Sequence, residues 1–245
     1  MSELRKTLRD AIGACDVEAV RRVLGAGADP NSGLTGNHST PLVFLCAKAV
    51  SAGNPSGSWP HDEQATVACA AALIEGGASP NSIPGQPEPI RSPLYFAAQS
   101  KFPGLVSLLL GANADVHYAT ADGHTSLHIA SRGKYSHVET VVALIAAGAD
   151  VNARYLQKTP LDEAVLFSNP RVYSTLLRAG SALPTEQSYI REGPYFLKVR
   201  RAGGFKQYEA QVKKSLAAML VPKFPQIPAE VIPTIVEFWA HAGDY

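Results

Sequence analysis

Cysteine, methionine and tryptophan are scarce in this chain of 245 residues: three, two and two. Cys15, Cys46 and Cys69 are odd in number and sit in apolar, helix-like runs. They fit small buried hydrophobes in a reducing compartment, not a disulfide framework or a metal set. An excess of one charge is also missing, since 22 basic and 21 acidic residues leave a net charge of +1. Global electrostatics therefore select no polyanionic partner. No apolar run reaches the roughly 20 residues that cross a bilayer. The charged opening Met1 to Asp10 lacks the apolar core of a secretory leader. An intracellular protein, cytoplasmic or nuclear and without a membrane span, is expected. There is no phosphate-binding glycine loop, and Gly25-Ala26-Gly27 is helix-end punctuation and not part of a dinucleotide fingerprint.

What the chain does have is a period. The stretch 121–131, Ala-Asp-Gly-His-Thr-Ser-Leu-His-Ile-Ala-Ser, leads into a helix-like run and ends at Gly148-Ala149-Asp150-Val151-Asn152. Thr125 is a natural helix N-cap, because its hydroxyl can accept from an orphan N–H of the first turn. Leu127, Ile129 and Ala130 give a narrow face that lets another helix come close. Val138, Val141, Val142, Leu144 and Ile145 approach the i, i+3, i+4, i+7 stripe of a second, half-buried helix. Gly148 supplies the left-handed turn that ends it. A unit of this size cannot bury its own apolar face, so it must recur. Helix-start signals stand at Thr40, Ser92, Thr125 and Thr159. Helix-end signals stand at Gly27, Gly77, Asn113, Gly148 and Gly180. Ser92 to Thr125 is 33 residues, and Thr125 to Thr159 is 34.

These residues resemble the ankyrin repeat, whose signature is D-x-x-G-x-T-P-L-H-x-A, two short helices, then G-A-D-x-N. Ser126 stands where proline is usual. The resemblance implies an all-α solenoid of helix-turn-helix repeats with hairpin-like fingers, covering about 4–184. Five repeats are expected at about 4–31, 32–81, 82–117, 118–152 and 153–184, followed by a helical extension, 185–245. In the first, Thr7-Leu8 stands where the helix start belongs. The second carries an insertion near 51–63, rich in Gly, Pro and Ser, with Trp59 as an aromatic candidate. The third has a proline-rich finger, Ile83 to Pro89. In the fifth, Asp162-Glu163 replaces the signature histidine, which puts that histidine's hydrogen bonds in question there. Of the extension, 195–200 alternates like a strand and Gly203-Gly204 breaks it. Lys206 to Val221 is amphipathic, stopped by Pro222 and Pro225, and 228–240 should be helical with Pro233 kinking it.

No reactive constellation appears, so no catalysis, cofactor or small-molecule substrate is expected. His124 and His128 are four apart, but no cysteine or carboxylate completes a zinc set. The family instead implies that His128 bonds neighbouring backbone. Between Thr185 and Lys223, eight basic residues face three acidic ones. They read as the wet side of a helix, so nucleic acid is not the expected partner. The resemblance implies a non-enzymatic scaffold that binds another protein on a concave face. Its candidate contacts are Asn37, His38, Glu88, Arg91, Asp122, His124, Gln157 and Lys158 at the fingers. The run 215–220 with Phe224 and Ile227-Pro228 is faintly similar to a SOCS box, although Leu220 replaces its cysteine. That similarity implies an alternative: an adaptor whose C-terminal box recruits a ubiquitin-ligase complex to a target held by the array. The extension would then be a docking segment, where otherwise it is a structural cap.

Overall fold

A computed structural model describes residues 2–34, 39–51, 62–82, 91–133, 138–184, 189–223, 226–228 and 230–236, with side chains from residue 3 and, in the extension, from residue 194. Between Ser2 and Lys223, twelve α-helices are laid down in chain order among these residues. They are α1 (Ser2–Gly13), α2 (Val17–Gly25), α3 (Pro41–Ser51), α4 (Glu63–Glu75), α5 (Pro93–Gln99), α6 (Pro103–Gly111), α7 (Ser126–Ser131), α8 (Val138–Ala146), α9 (Pro160–Leu166), α10 (Tyr173–Arg178), α11 (Tyr189–Arg201) and α12 (Phe205–Lys223). A 3-10 turn, Pro170–Val172, precedes α10. The odd helices α3, α5, α7 and α9 stack into one layer, and the even helices α2, α4, α6, α8 and α10 into another. The result is a two-layer helical solenoid.

The starts of the odd helices follow from their caps. Ser92 accepts from the Tyr95 N–H at 3.2 Å, and Thr125 and Thr159 accept from the N–H groups of His128 and Asp162. The ends of the even helices share one geometry. Gly27, Gly77, Gly148 and Gly180 lie at φ near +92°, where any Cβ is strained. Asn113 takes the same turn at φ 62°, a region that asparagine tolerates. The next N–H then reaches back to close the turn, as in Ala78 to Leu73 O at 2.9 Å and Ala149 to Leu144 O at 3.0 Å.

The asparagine that closes each motif does more than end a helix. The Asn31 amide donates to Gly77 O (2.9 Å), and its oxygen accepts from the Ser79 N–H (2.8 Å). Asn81 does the same to Asn113 O and the Asp115 N–H, and Asn152 to Gly180 O and the Ala182 N–H. His117 holds the equivalent place at the remaining seam, and among the described residues no such bridge crosses there. Small residues let the layers close: Ala49, Ala70, Ala97, Ala98, Ala130 and Ala164 are all buried, between Leu42, Leu73, Leu94, Leu105, Leu127, Leu144 and Leu161.

Several expectations change. α1 begins at Ser2, so Thr7 is mid-helix, its hydroxyl donating to Glu3 O at 2.9 Å. The supposed strand at 195–200 is part of α11, because Phe196 and Val199, three apart, are both fully buried while Leu197 between them is exposed. Helical burial defeats the alternation. α12 runs through Pro222 to Lys223. Pro233 is the second described residue of a helical stretch that begins at Ile232, in its first turn, where its missing N–H costs little. Cys46 and Cys69 are buried and Cys15 half-buried, all three as free thiols. Burial pushes the Cys46 thiol up to about 12. Trp59, most of the 51–63 insertion and the finger 83–90 lie outside the described residues.

A candidate binding face across the fingers and inner helices

Between the Asn31-type turns and the odd helices, the chain forms fingers. In the fourth, Ala119 pairs with Thr125 across a single antiparallel bridge. The Gly123 N–H donates to Thr120 O at 2.8 Å, and the Thr120 N–H to His124 O at 3.0 Å. Gly123 is required twice over. Its φ is +89°, and a Cβ there would stand 2.5 Å from the Arg154 carbonyl oxygen of the next finger. In the fifth finger, Tyr155 and Lys158 exchange both backbone hydrogen bonds, 2.9 and 2.8 Å. That leaves Leu156 and Gln157 as the two corner residues, at φ 45° and 65°. A two-residue turn with both corners left-handed favours Asn-Gly. Here two residues with ordinary side chains hold it, and Leu156 is 67% exposed.

Behind the fingers, rings and guanidinium groups run in series. The Arg91 guanidinium lies 5.2 Å from the Tyr95 ring centroid. The Tyr95 hydroxyl and His124 Nδ1 share a hydrogen bond of 2.8 Å. His124 stacks on His128 at 5.3 Å and meets the edge of Tyr155 at 4.3 Å. Arg132 then sits 5.9 Å from the Tyr155 centroid and 5.0 Å from that of Phe167. Its Nε donates to Glu163 Oε2 at 2.6 Å, and that carboxylate side chain is 1% exposed.

The histidines serve the backbone. The Thr125 N–H donates to His128 Nδ1 at 3.2 Å. With Nδ1 an acceptor, Nε2 carries the proton and donates to Lys158 O at 3.1 Å, joining α7 to the next finger. Burial pushes His124 down to about 3 and lowers His128 as well. Both are neutral at neutral pH, and His124 Nε2 is buried with no hydrogen-bond partner. At the start of α9, Asp162 fills the place of the histidine. Its Oδ2 accepts from both the Thr159 N–H and hydroxyl at 2.9 Å. The start survives the substitution, but a carboxylate has no N–H to donate onward as His128 Nε2 does; the Glu163–Arg132 pair joins α9 back to the end of α7, across the seam that His128 also bridges.

Of the sequence candidates, Asn37, His38 and Glu88 lie outside the described residues. Arg91, Asp122, Gln157 and Lys158 stand on the fingers with at least part of their surface in water. The Thr120 hydroxyl donates to Asp122 Oδ1 and holds that carboxylate below its usual range. His124, by contrast, is 4% exposed and belongs to the interior of the finger. Sequence reasoning passed over Arg132, Tyr155, Leu156 and Phe167. Two signals were available: a leucine at a finger tip, and Phe167 just past the apolar stripe of α9. Among the described residues no group of His, Cys, Asp or Glu could hold a metal ion, and no helix is long and apolar enough to cross a membrane.

Stacked helix pairs, left-handed helix ends and bridged fingers define a helical repeat protein. Residues 66–186, just under half of the chain, match the family model for ankyrin repeats, in three copies. Over these residues the chain is similar to ankyrin repeats, which generally serve as protein–protein interaction modules and not as enzymes. No curated protein matches the chain.

Proposed function

We propose that this protein is a non-enzymatic module that holds a protein partner on a concave face built from its fingers and inner helices. The observation that carries the reading is the fifth finger. Leu156 and Gln157 are held in left-handed conformations at a solvent-facing corner, and strain of that kind is retained where it presents side chains usefully. Tyr155, next in the chain, leads through Arg132 to Phe167, which is 50% exposed. Arginine and aromatic side chains dominate the energetics of protein interfaces. Here Glu163 and the two rings pre-orient the guanidinium, so less freedom is lost on binding. Arg91, Asp122, Gln157 and Lys158 form the polar rim.

A second reading draws support from α12, which buries none of its 19 residues. In it, the 185–245 extension recruits a ubiquitin-ligase complex while the array holds the target. Affinity capture with mass spectrometry tests both readings. Leu156→Asp with Phe167→Asp should lose the partners of the array, and Leu216→Asp should leave them. If ligase components disappear only with Leu216→Asp, the adaptor reading holds. If the finger variant captures the same proteins as the parent, the concave-face reading fails.

A further inference from the structure

α11 and α12 leave an open groove of about 530 Å³ between them. Its floor is the apolar stripe of α12: Tyr208, Val212, Leu216 and Met219, at i, i+4, i+8 and i+11. At about 1.5 Å per residue these span roughly 16 Å, three turns of a facing helix. The α11 wall presents Lys198 and Arg201, three apart and so on one side of that helix. Neither is paired with a carboxylate among the described residues, and no acidic residue is among those that line the groove. The opposite face of α11 is fixed, with Phe196 and Val199 fully buried in the core. The groove therefore has one rigid wall and a floor none of whose apolar residues is fully buried, Tyr208, Val212 and Leu216 being half-buried and Met219 44% exposed.

We propose that the groove between α11 and α12 is a docking site for an amphipathic helix of another protein, one whose apolar stripe is flanked by acidic residues. The length and apolarity of the floor call for a helix with anchors one turn apart, the helix-in-groove mode. The cationic wall selects the charge of its flank. Carboxylates on the facing helix can take Arg201 in a two-pronged pair and Lys198 as a point charge. The same wall opposes a helix flanked by lysines. The site is separate from the fingers and does not depend on what the concave face binds.

The test uses the full chain and two labelled 16-residue helical peptides. Both carry leucines at i, i+4, i+7 and i+11; one is flanked by glutamates, its twin by lysines. Fluorescence anisotropy should show the glutamate peptide binding at least tenfold tighter, with the difference shrinking as salt rises. Lys198→Glu with Arg201→Glu should reverse the preference. Leu216→Asp should abolish binding with helix content by circular dichroism unchanged. Val221→Asp places the same charge on α12 outside the groove lining and should bind like the parent. Equal binding of the twins, no binding, or equal loss with Val221→Asp overturns the proposal. So does binding that appears only after residues 237–245 are removed, which would make the chain's own end the occupant. Self-association lost with Leu216→Asp would assign the groove to a second copy. Binding of the parent to phosphatidylserine vesicles in place of either peptide would make the face a membrane contact.

Discussion

The array and the extension continue one stack by different means. α11 adds to the odd layer by packing on α9, and α12 adds to the even layer by packing on α10. Within the array, seams are stitched by repeated polar bridges: the Asn31, Asn81 and Asn152 amides, and His128 Nε2 reaching Lys158 O. The extension is held by packing instead. Tyr173, Tyr195, Phe196 and Tyr208 contact ring to ring at centroid distances of 5.1 to 5.9 Å, and Arg178 pairs with Glu209 at 2.8 Å. A stack can thus be extended without the repeat motif, provided that one helix of the new pair buries its apolar face. α11 does, and α12 does not.

The sharpest way to break that comparison is to remove the anchor. Phe196→Ala should cost about 3–5 kcal/mol, the range for a fully buried aromatic, read by chemical denaturation. The extension should detach while the array keeps its helix content. A loss of both together would show that the array needs its last helix pair.

Acid should act on the array through its buried histidines. The folded pKa of His124 lies near 3 and the unfolded value near 6.5. The unfolded chain therefore binds more protons between those values, so stability is complete above pH 6.5 and is lost as pH falls toward 3. About 2 kcal/mol should go between pH 7 and pH 5 from this group alone. His128, lowered for the same reason of burial, adds loss in the same direction. His124→Asn keeps a hydrogen-bonding group for the Tyr95 hydroxyl and removes the titration, so its melting temperature should fall less steeply with pH. An identical slope would place the acid sensitivity elsewhere.

How much of this was legible in the sequence follows from how local each feature is. Thr125, Thr159 and Gly148 announce helix ends because caps and left-handed turns are set by one or two residues. The stacking of odd on odd and even on even followed from the period. The partner of Asn81 is different: Asn113 O lies on the next unit, and only three dimensions bring it within reach. Arg132, Glu163 and Phe167 come from two different units in the same way, so no spacing connects them. α11 was misread because a partial alternation over 195–200 argued locally for a strand, while burial of Phe196 and Val199 decided otherwise. Asp162 shows the converse, a departure from the motif that keeps its chemistry by supplying a carboxylate where an imidazole nitrogen had accepted.

The stitching itself can be edited. Asn81→Ala removes two hydrogen bonds to the next unit and should cost about 1–2 kcal/mol. His117→Asn offers the missing bridge to the turn at Gly148 and should gain up to about 1 kcal/mol. Denaturant midpoints measured together would decide whether these amides hold the array. If neither substitution moves the midpoint, apolar packing alone holds the seams, and the contrast between array and extension disappears.

The smallest effect is the most informative about α12. Leucine at position 216 lies on the apolar stripe, yet no residue of that helix is buried. Leu216 is half-buried, and alanine favours a helix at least as well as leucine. Leu216→Ala should cost about 1 kcal/mol or less, below the range of about 2–5 kcal/mol for a fully buried leucine. A cost of 2 kcal/mol or more would mean that the stripe is covered in the free protein, so that α12 is anchored like α11. A small cost in the free chain, rising to several-fold weaker binding once the glutamate-flanked peptide is present, would show a helix whose apolar face is kept for a partner and not for the fold.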